Sequence, residues 1–341
     1  MTPDTDVLVV GGGPVGLAAA IEARLAGLDV VVLEPRTGTL DKACGEGLMP
    51  GTLAALHRLG VDPDGWALHG IDYRSGRRSA VHRFRSGPGR GVRRTTVHAA
   101  LQHRATELDV PVVPSRVRNL AIDEDQVQTC GISARWLLGC DGLHSTVRRL
   151  TGLQASVGGG RERRYGLRRH FRLAPWTDLV EVHWAPAAEA YVTPVAADLV
   201  GVALLGPRHL SWDATLAELP ALAVRLSGAD PVGSTLGAGP LLQRTTARSA
   251  GPVRLVGDAA GYVDALTGEG LRVGLAQARA VIATLPDADA YEDGWRAVTR
   301  DYRLLTSGLV AWARSPVRGA IVPVARRMPW LYGAVVERLA R

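Results

Sequence analysis

Two glycine-rich segments stand at opposite ends of this chain, and together they constrain its fold more than any other feature. Gly11-Gly12-Gly13-Pro14-Val15-Gly16 follows the apolar run Asp6-Val7-Leu8-Val9-Val10 and precedes a helix-like stretch from Leu17 to Leu25. A strand, a glycine turn and a helix in that order put backbone N–H groups and a positive helix end where a pyrophosphate can sit. Gly11 permits the tight turn, Gly13 the close approach of the ligand, and Gly16 the close packing of helix on strand. Glu34 closes the next apolar run, Val30 to Leu33. Its carboxylate can accept hydrogen bonds from a ribose diol and would repel a 2′-phosphate. The second segment, Gly257-Asp258-Ala259-Ala260-Gly261, follows a strand-like run and precedes a helix expected from about 269 to 284. The interior between them is rich in β patterning, so two consecutive domains do not fit. One nucleotide-binding domain that the chain leaves and re-enters does.

Helices are expected at 49–59, from Thr95 to Leu108 and at 212–226, on apolar spacing of three and four. Short strands are expected at Val110–Val113, Val117–Ile122, Gln126–Ile132 and Trp136–Gly139. From 165 to 205 apolar residues alternate, which implies an antiparallel sheet, and 240–256 should return as strand. Gly158-Gly159-Gly160 reads as a linker. The expected class is therefore α/β: a three-layer Rossmann-like domain with an inserted antiparallel sheet and C-terminal helices. Residues 1–66, 93–157 and 245–285 would form the nucleotide-binding domain, 67–92 and 158–244 the substrate sheet, and 286–341 the helical tail.

With 341 residues the chain can bury a large core. Asp4 and Asp6 precede the first strand where a secretory leader would be cationic, so a cytoplasmic protein is expected. Cys44, Cys130 and Cys140 lack metal-ligand spacing, and neither a metal nor a disulfide is expected. The net charge is +7, yet of 40 basic residues all but Lys42 are arginine, scattered as singles and pairs. That bias fits a GC-rich coding sequence better than a nucleic-acid surface, and no nucleic-acid partner is expected. The last 40 residues interleave apolar pairs with Arg314, Arg318, Arg326, Arg327, Arg338 and Arg341. Such helices can pack on the body with arginines in solvent, or rest on an anionic membrane.

Gly139-Cys140-Asp141-Gly142, leading to Ser145-Thr146-Val147-Arg148-Arg149, is a third motif, a strand ending at an Asp-Gly turn before a helix. The three motifs, in this order and spacing, resemble the flavoprotein superfamily of p-hydroxybenzoate hydroxylase and geranylgeranyl reductase. The resemblance covers the chain apart from its terminal helices. It implies FAD as cofactor and NAD(P)H as transient reductant. It also implies that Gly11, Gly13, Pro14, Val15 and Gly16 hold the pyrophosphate. Glu34, with Pro35 and Arg36, would take the adenosine end, and Asp258, after Gly257, the ribityl chain. The helix opening at Gly268, Gly270 and Leu271 would aim its positive end at the flavin. Arg94 looks like the arginine or glutamine that reaches the cofactor in this family, and Asp141 belongs to the same set. Lys42-Ala43-Cys44-Gly45-Glu46-Gly47 resembles the element that borders the isoalloxazine in the geranylgeranyl reductase branch. Ala265 stands where the family has proline.

Candidate catalytic groups are Cys44, Glu46, His183 and Tyr191, with His170 a further polar group of the sheet; packing and capping are the competing roles. The leading expectation is an FAD-dependent monooxygenase hydroxylating an apolar aromatic or polyketide-type molecule in bacterial biosynthesis. The alternative is a flavin-dependent reductase of prenyl or polyketide double bonds, with Cys44 supplying a proton. A monomer or homodimer is expected.

Overall fold

The computed structural model describes residues 3–157 and 163–341. The expected linker at Gly158–Gly160 lies outside them. The body is built on a sheet whose strands run in the order Ser249–Ala250, Val253–Leu255, Ile132–Gly139, Thr5–Val10, Val30–Leu33 and Val112–Val113. The last five of these are mutually parallel, with Val7 opposite Trp136 on one side and Val30 on the other. Strands buried on both faces read as continuous apolar runs, which is why Val7–Val10 and Leu137–Leu138 carry no alternation. Val253–Leu255 lies beside Ile132–Gly139, so the chain does return to the sheet it left.

The second sheet has seven strands in the order Asp230–Ala238, Tyr165–Arg172, Leu199–Gly206, Glu189–Ala196, Val180–Trp184, Gly70–Ser75 and Arg78–Arg83. It roofs the body, and the hairpin of 70–83 joins it through a parallel pairing with Val180–Trp184. Sequence patterning missed the strand Asp230–Ala238. It is an edge strand containing Pro231, Gly233 and Gly237, largely exposed, and has no period-two apolar face. The segment expected as strand at 240–256 contributes only Ser249–Ala250 and Val253–Leu255. The helix expected at 212–226 is two helices, Trp212–Ala217 and Pro220–Leu226. Pro220 disfavours helical backbone at Leu219 (φ −124°, ψ 61°), and the chain breaks there.

The helix Ala288–Ala313 buries Tyr291 and Trp295 in the nucleotide core, and Tyr291 Oη donates to Leu255 O. Helices Ile321–Arg327 and Pro329–Ala340 lie against the roof hairpin. Tyr332 Oη donates to Ile71 O, and His82 is 2.8 Å from Glu337. No helix among the described residues is long and apolar enough to cross a membrane.

Candidate cofactor and substrate cavity

Three segments far apart in sequence meet at the N-terminal turn. A Cβ on Gly257 would stand 3.0 Å from Val15 Cγ1, and one on Gly274 only 2.4 Å from Val15 Cγ2. Gly11 (φ +107°) lies against the Cys140 backbone, where a Cβ would sit 2.7 Å from Cys140 O. The Asp141 motif therefore closes the same turn. Buried His98 holds it from the fourth side: its Nδ1 accepts from Leu40 N, so Nε2–H donates to Gly12 O at 2.8 Å. Burial lowers the His98 pKa, and the neutral ring suits both bonds.

These elements enclose a cavity of about 610 Å³, within the range of small-molecule and cofactor sites. Along one wall run Gly11, Gly13, Pro14, Val15, Glu34, Pro35, Arg36 and Arg94. Further on come Cys44, Gly45, Asp141, Asp258, Gly268, Gly270 and Leu271. Gly16 and Gly257 lie behind this wall, outside the lining, where they hold elements together.

Glu34 Oε2 accepts from Gly12 N at 2.9 Å, and its carboxylate is gripped by Arg36. Burial pushes the Glu34 carboxyl up, but the Arg36 and Gly12 hydrogen bonds outweigh it and hold the pKa below the usual range. Arg36, expected near an adenine, thus has a definite partner of its own while lining the cavity. Asp141 Oδ2 caps the helix Thr146–Leu150 by accepting from Thr146 N and Val147 N, whereas its buried Oδ1 has no partner among the described residues. Fully buried Arg148 ties the distal loop in place by donating to Ala259 O, Leu143 O and Gln243.

FAD fits these residues. Among the described residues a Cβ on Gly13 would meet only Arg94 Nη2, at 4.0 Å, and buried Arg94 Nε has no partner, so a guanidinium faces the open glycine where a phosphate would lie. The helix Gly270–Ala283 has no side-chain cap, which leaves its first N–H groups toward the cavity for a carbonyl of the ring.

Glu269, at the start of that helix, is almost fully buried beside Arg272. Burial pushes its carboxyl up to about 7 against the pull of Arg272. A carboxyl raised in the folded state stabilises fully below its unfolded pKa near 4.5. That contribution is lost as pH rises through about 7, amounting to ~3 kcal/mol in the apoprotein. Glu269→Gln is expected to flatten this slope in urea unfolding compared at about pH 5 and pH 8.

The roof face of the cavity is apolar. Ile71, Val180, Val182, Ala203, Leu205 and Leu241 line it, joined by Val335, Val336, Leu339 and Ala340 of the last helix. Sequence reading had not placed the C-terminal helices there, although Tyr332, Val336 and Leu339 already carry the spacing of an inward face. Two roof hydroxyls have their protons committed. Tyr191 Oη donates to Leu266 O and Thr193 Oγ1 to Gly45 O, each at 2.8 Å. Burial holds the Tyr191 phenol well above its usual range.

The four candidate catalytic residues separate. Cys44 lines the cavity, half-buried, with its thiol accepting from Glu46 N at 3.4 Å. Tyr191 lines it as well. Glu46 touches the cavity wall, but its carboxylate is held in protein: Oε1 accepts from Arg94 N at 2.9 Å, and Oε2 from His170 Nε2 at 2.6 Å. His183 is outside the lining. It lies on the opposite face of its strand from Val180 and Val182 and bonds Glu181 at 2.8 Å, so the structure corrects its placement at the substrate. His170, bonded to Glu46 and Arg168, is likewise withdrawn from substrate. Strand alternation alone could not tell which face of 180–184 looks down, because both faces are buried.

Residues 4–72 match the family model described as an FAD binding domain. Menaquinone reductase of Mycobacterium tuberculosis is 54% identical over 56 residues, 16% of this chain and 14% of that protein. The chain thus matches only about a seventh of that relative's length. Digeranylgeranylglycerophospholipid reductase 1 of Methanopyrus kandleri is 28% identical over 342 residues, 87% of each chain. Rifampicin monooxygenase of Streptomyces venezuelae is 33% identical over 168 residues, 43% of this chain and 34% of that one. A solved flavoprotein/dehydrogenase from Cytophaga hutchinsonii superposes with a TM-score of 0.81 at 18% identity, covering 98% of this chain and 92% of that chain. With the three converging motifs, these likenesses make the chain an FAD-binding protein similar in sequence to a geranylgeranyl-lipid reductase and a rifampicin monooxygenase, and in fold to a solved flavoprotein.

Proposed function

We propose that this chain is an FAD-dependent monooxygenase that inserts oxygen into a hydroxyaromatic ring carried by an apolar molecule, with NAD(P)H as reductant. Bound FAD supplies the redox chemistry and oxygen activation; the chain's residues position the substrate and keep water out. The observation that carries the reading is the state of the Tyr191 hydroxyl. Its proton is committed to Leu266 O, so toward the cavity it can only accept. Thr193 is committed in the same way to Gly45 O. Two acceptors set in an apolar roof suit a ligand that brings its own O–H, as a phenol does and a hydrocarbon chain does not. Val180, Val182, Leu205 and the wall from the last helix would bury the rest of it.

Tyr191→Phe removes one acceptor and one roof bond while leaving the ring. It is expected to raise KM for a hydroxyaromatic substrate about tenfold, the loss of one hydrogen bond of ~1.4 kcal/mol, with FAD content unchanged. The direct test mixes holoprotein, NAD(P)H and candidate phenols and follows substrate-linked O2 uptake together with product mass. Turnover without O2 consumption would end the proposal.

Reduction of a carbon–carbon double bond is the second reading. The end-to-end likeness to a geranylgeranyl-lipid reductase favours it, as does the Cys44 thiol at the cavity, a proton donor for the carbon opposite hydride delivery. Cys44→Ser separates the two. Under reduction it lowers anaerobic turnover by about 10²-fold or more; under oxygen transfer it leaves the coupled O2 uptake within a few-fold of wild type.

A further inference from the structure

A second cavity of about 380 Å³ opens beside the first. The two share Lys42, Leu143, His144, Gly166, Leu167 and Ala238, so they meet along a common wall. Three of the second cavity's lining residues, Lys42, His144 and Arg208, are basic, and none of the described lining residues is acidic. Lys42, the only lysine of the chain, stands 3.7 Å from Asp258 Oδ2 and remains 40% exposed. His144 and Arg208 are exposed. Gly166, Gly237 and Gly239 bring backbone to the lining of this cavity, with Gly239 against the Tyr165 ring. Basic side chains beside exposed backbone and an aromatic ring suit a phosphate-bearing molecule with a planar end.

The strand–glycine turn–helix unit fits FAD, and the sequence contains no second such unit for another dinucleotide. A reductant held by this chain would then have its phosphates neutralised by side chains. We propose that this second cavity receives the phosphate-bearing part of the nicotinamide dinucleotide, whose other end reaches the flavin cavity past Leu143 and Leu167. The inference rests on NAD(P)H being the reductant. The same phosphate chemistry could also come from a pyrophosphate on the substrate, and the experiment tells the two sources apart.

The FAD-loaded protein is titrated with NADH, NADPH, ADP-ribose and inorganic pyrophosphate, by calorimetry and by anaerobic stopped-flow reduction. Wild type is compared with Arg208→Glu and with Arg296→Glu, an exposed control on the helix Ala288–Ala313. The expected result is a Kd for the nucleotide and for ADP-ribose raised tenfold or more in Arg208→Glu alone. FAD content and reduction by dithionite stay unchanged, which excludes a folding defect. Equal nucleotide binding by all three proteins overturns the site. Pyrophosphate that competes with substrate but not with nucleotide overturns the assignment to the reductant. If neither nucleotide reduces wild type, the reductant itself is wrong and the proposal falls with it, a result distinct from reduction that ignores Arg208.

Discussion

Gly13→Val is expected to give a protein that folds but emerges colourless, with FAD occupancy down about tenfold or more. Gly13 is the N-cap of the first helix in extended backbone (φ −70°, ψ 174°), a conformation open to any residue. Among the described residues a Cβ there touches only Arg94 Nη2, at 4.0 Å. The folding cost is thus limited to exchanging glycine for valine at an N-cap, ~1 kcal/mol or less. The branched side chain would instead occupy the space between the turn and Arg94, where the pyrophosphate must approach. Gly16 supplies the contrast. A Cβ at Gly16 would lie 1.8 Å from Gly11 O, a backbone atom that cannot swing away. Gly16→Ala should therefore cost ~1–3 kcal/mol or more of apoprotein stability and lose flavin as a consequence. Absorbance of bound flavin per protein and urea midpoints of the apoproteins check both variants. A yellow, fully occupied Gly13→Val would show that the pyrophosphate lies elsewhere, and an undisturbed Gly16→Ala would show that the turn can relax.

The same residues explain what could be read in advance. Gly11, Gly13 and Gly16 act through backbone geometry, which glycine spacing records directly, so the turn and its sheet were legible. The return of Val253–Leu255 to that sheet was legible because Gly257 and Asp258 mark the end of a parallel strand. Chemistry at the roof was less so. Glu181, Val182 and His183 are all buried, and alternation cannot say which neighbour looks into a cavity when another layer covers the far side. His183 and His170 read as candidates because a polar residue in an apolar strand stands out. Their partners, Glu181 and Glu46, become evident only once register and loop position are known. The wall from Val335, Val336 and Leu339 depends on how the last helix docks on the roof hairpin, a long-range contact that no local pattern encodes.

Glu46→Ala should be among the most damaging single substitutions in the loop that carries Cys44. Glu46 sits at φ +60° with its carboxylate buried, and a helix and a roof strand both depend on it. Arg94 N, at the start of the helix Arg94–Glu107, donates to Oε1, and His170 Nε2 on the roof lies 2.6 Å from Oε2. Arg168 Nη1 faces His170 Nδ1 at 2.8 Å, and Arg168 Nη2 pairs with Asp41. A guanidinium can only donate, so Nδ1 must accept, and the His170 proton is on Nε2, pointing at Glu46. Removing the carboxylate strands the His170 Nε2–H and the Arg94 N–H, a loss of ~1–3 kcal/mol for each donor left unmet. Glutamine does not repair it. If its carbonyl accepts from Arg94, its amide turns a donor toward a donor on His170, so Glu46→Gln should still cost ~1–3 kcal/mol. The order wild type, Gln, Ala in urea midpoint, with flavin content falling in step as Arg94 and the Cys44–Gly45 loop lose their anchor, is the expected result. A double-mutant cycle with His170→Ala should show strong coupling. Independent, small effects of the two substitutions would mean that the roof and the flavin loop are held together by something other than this bond.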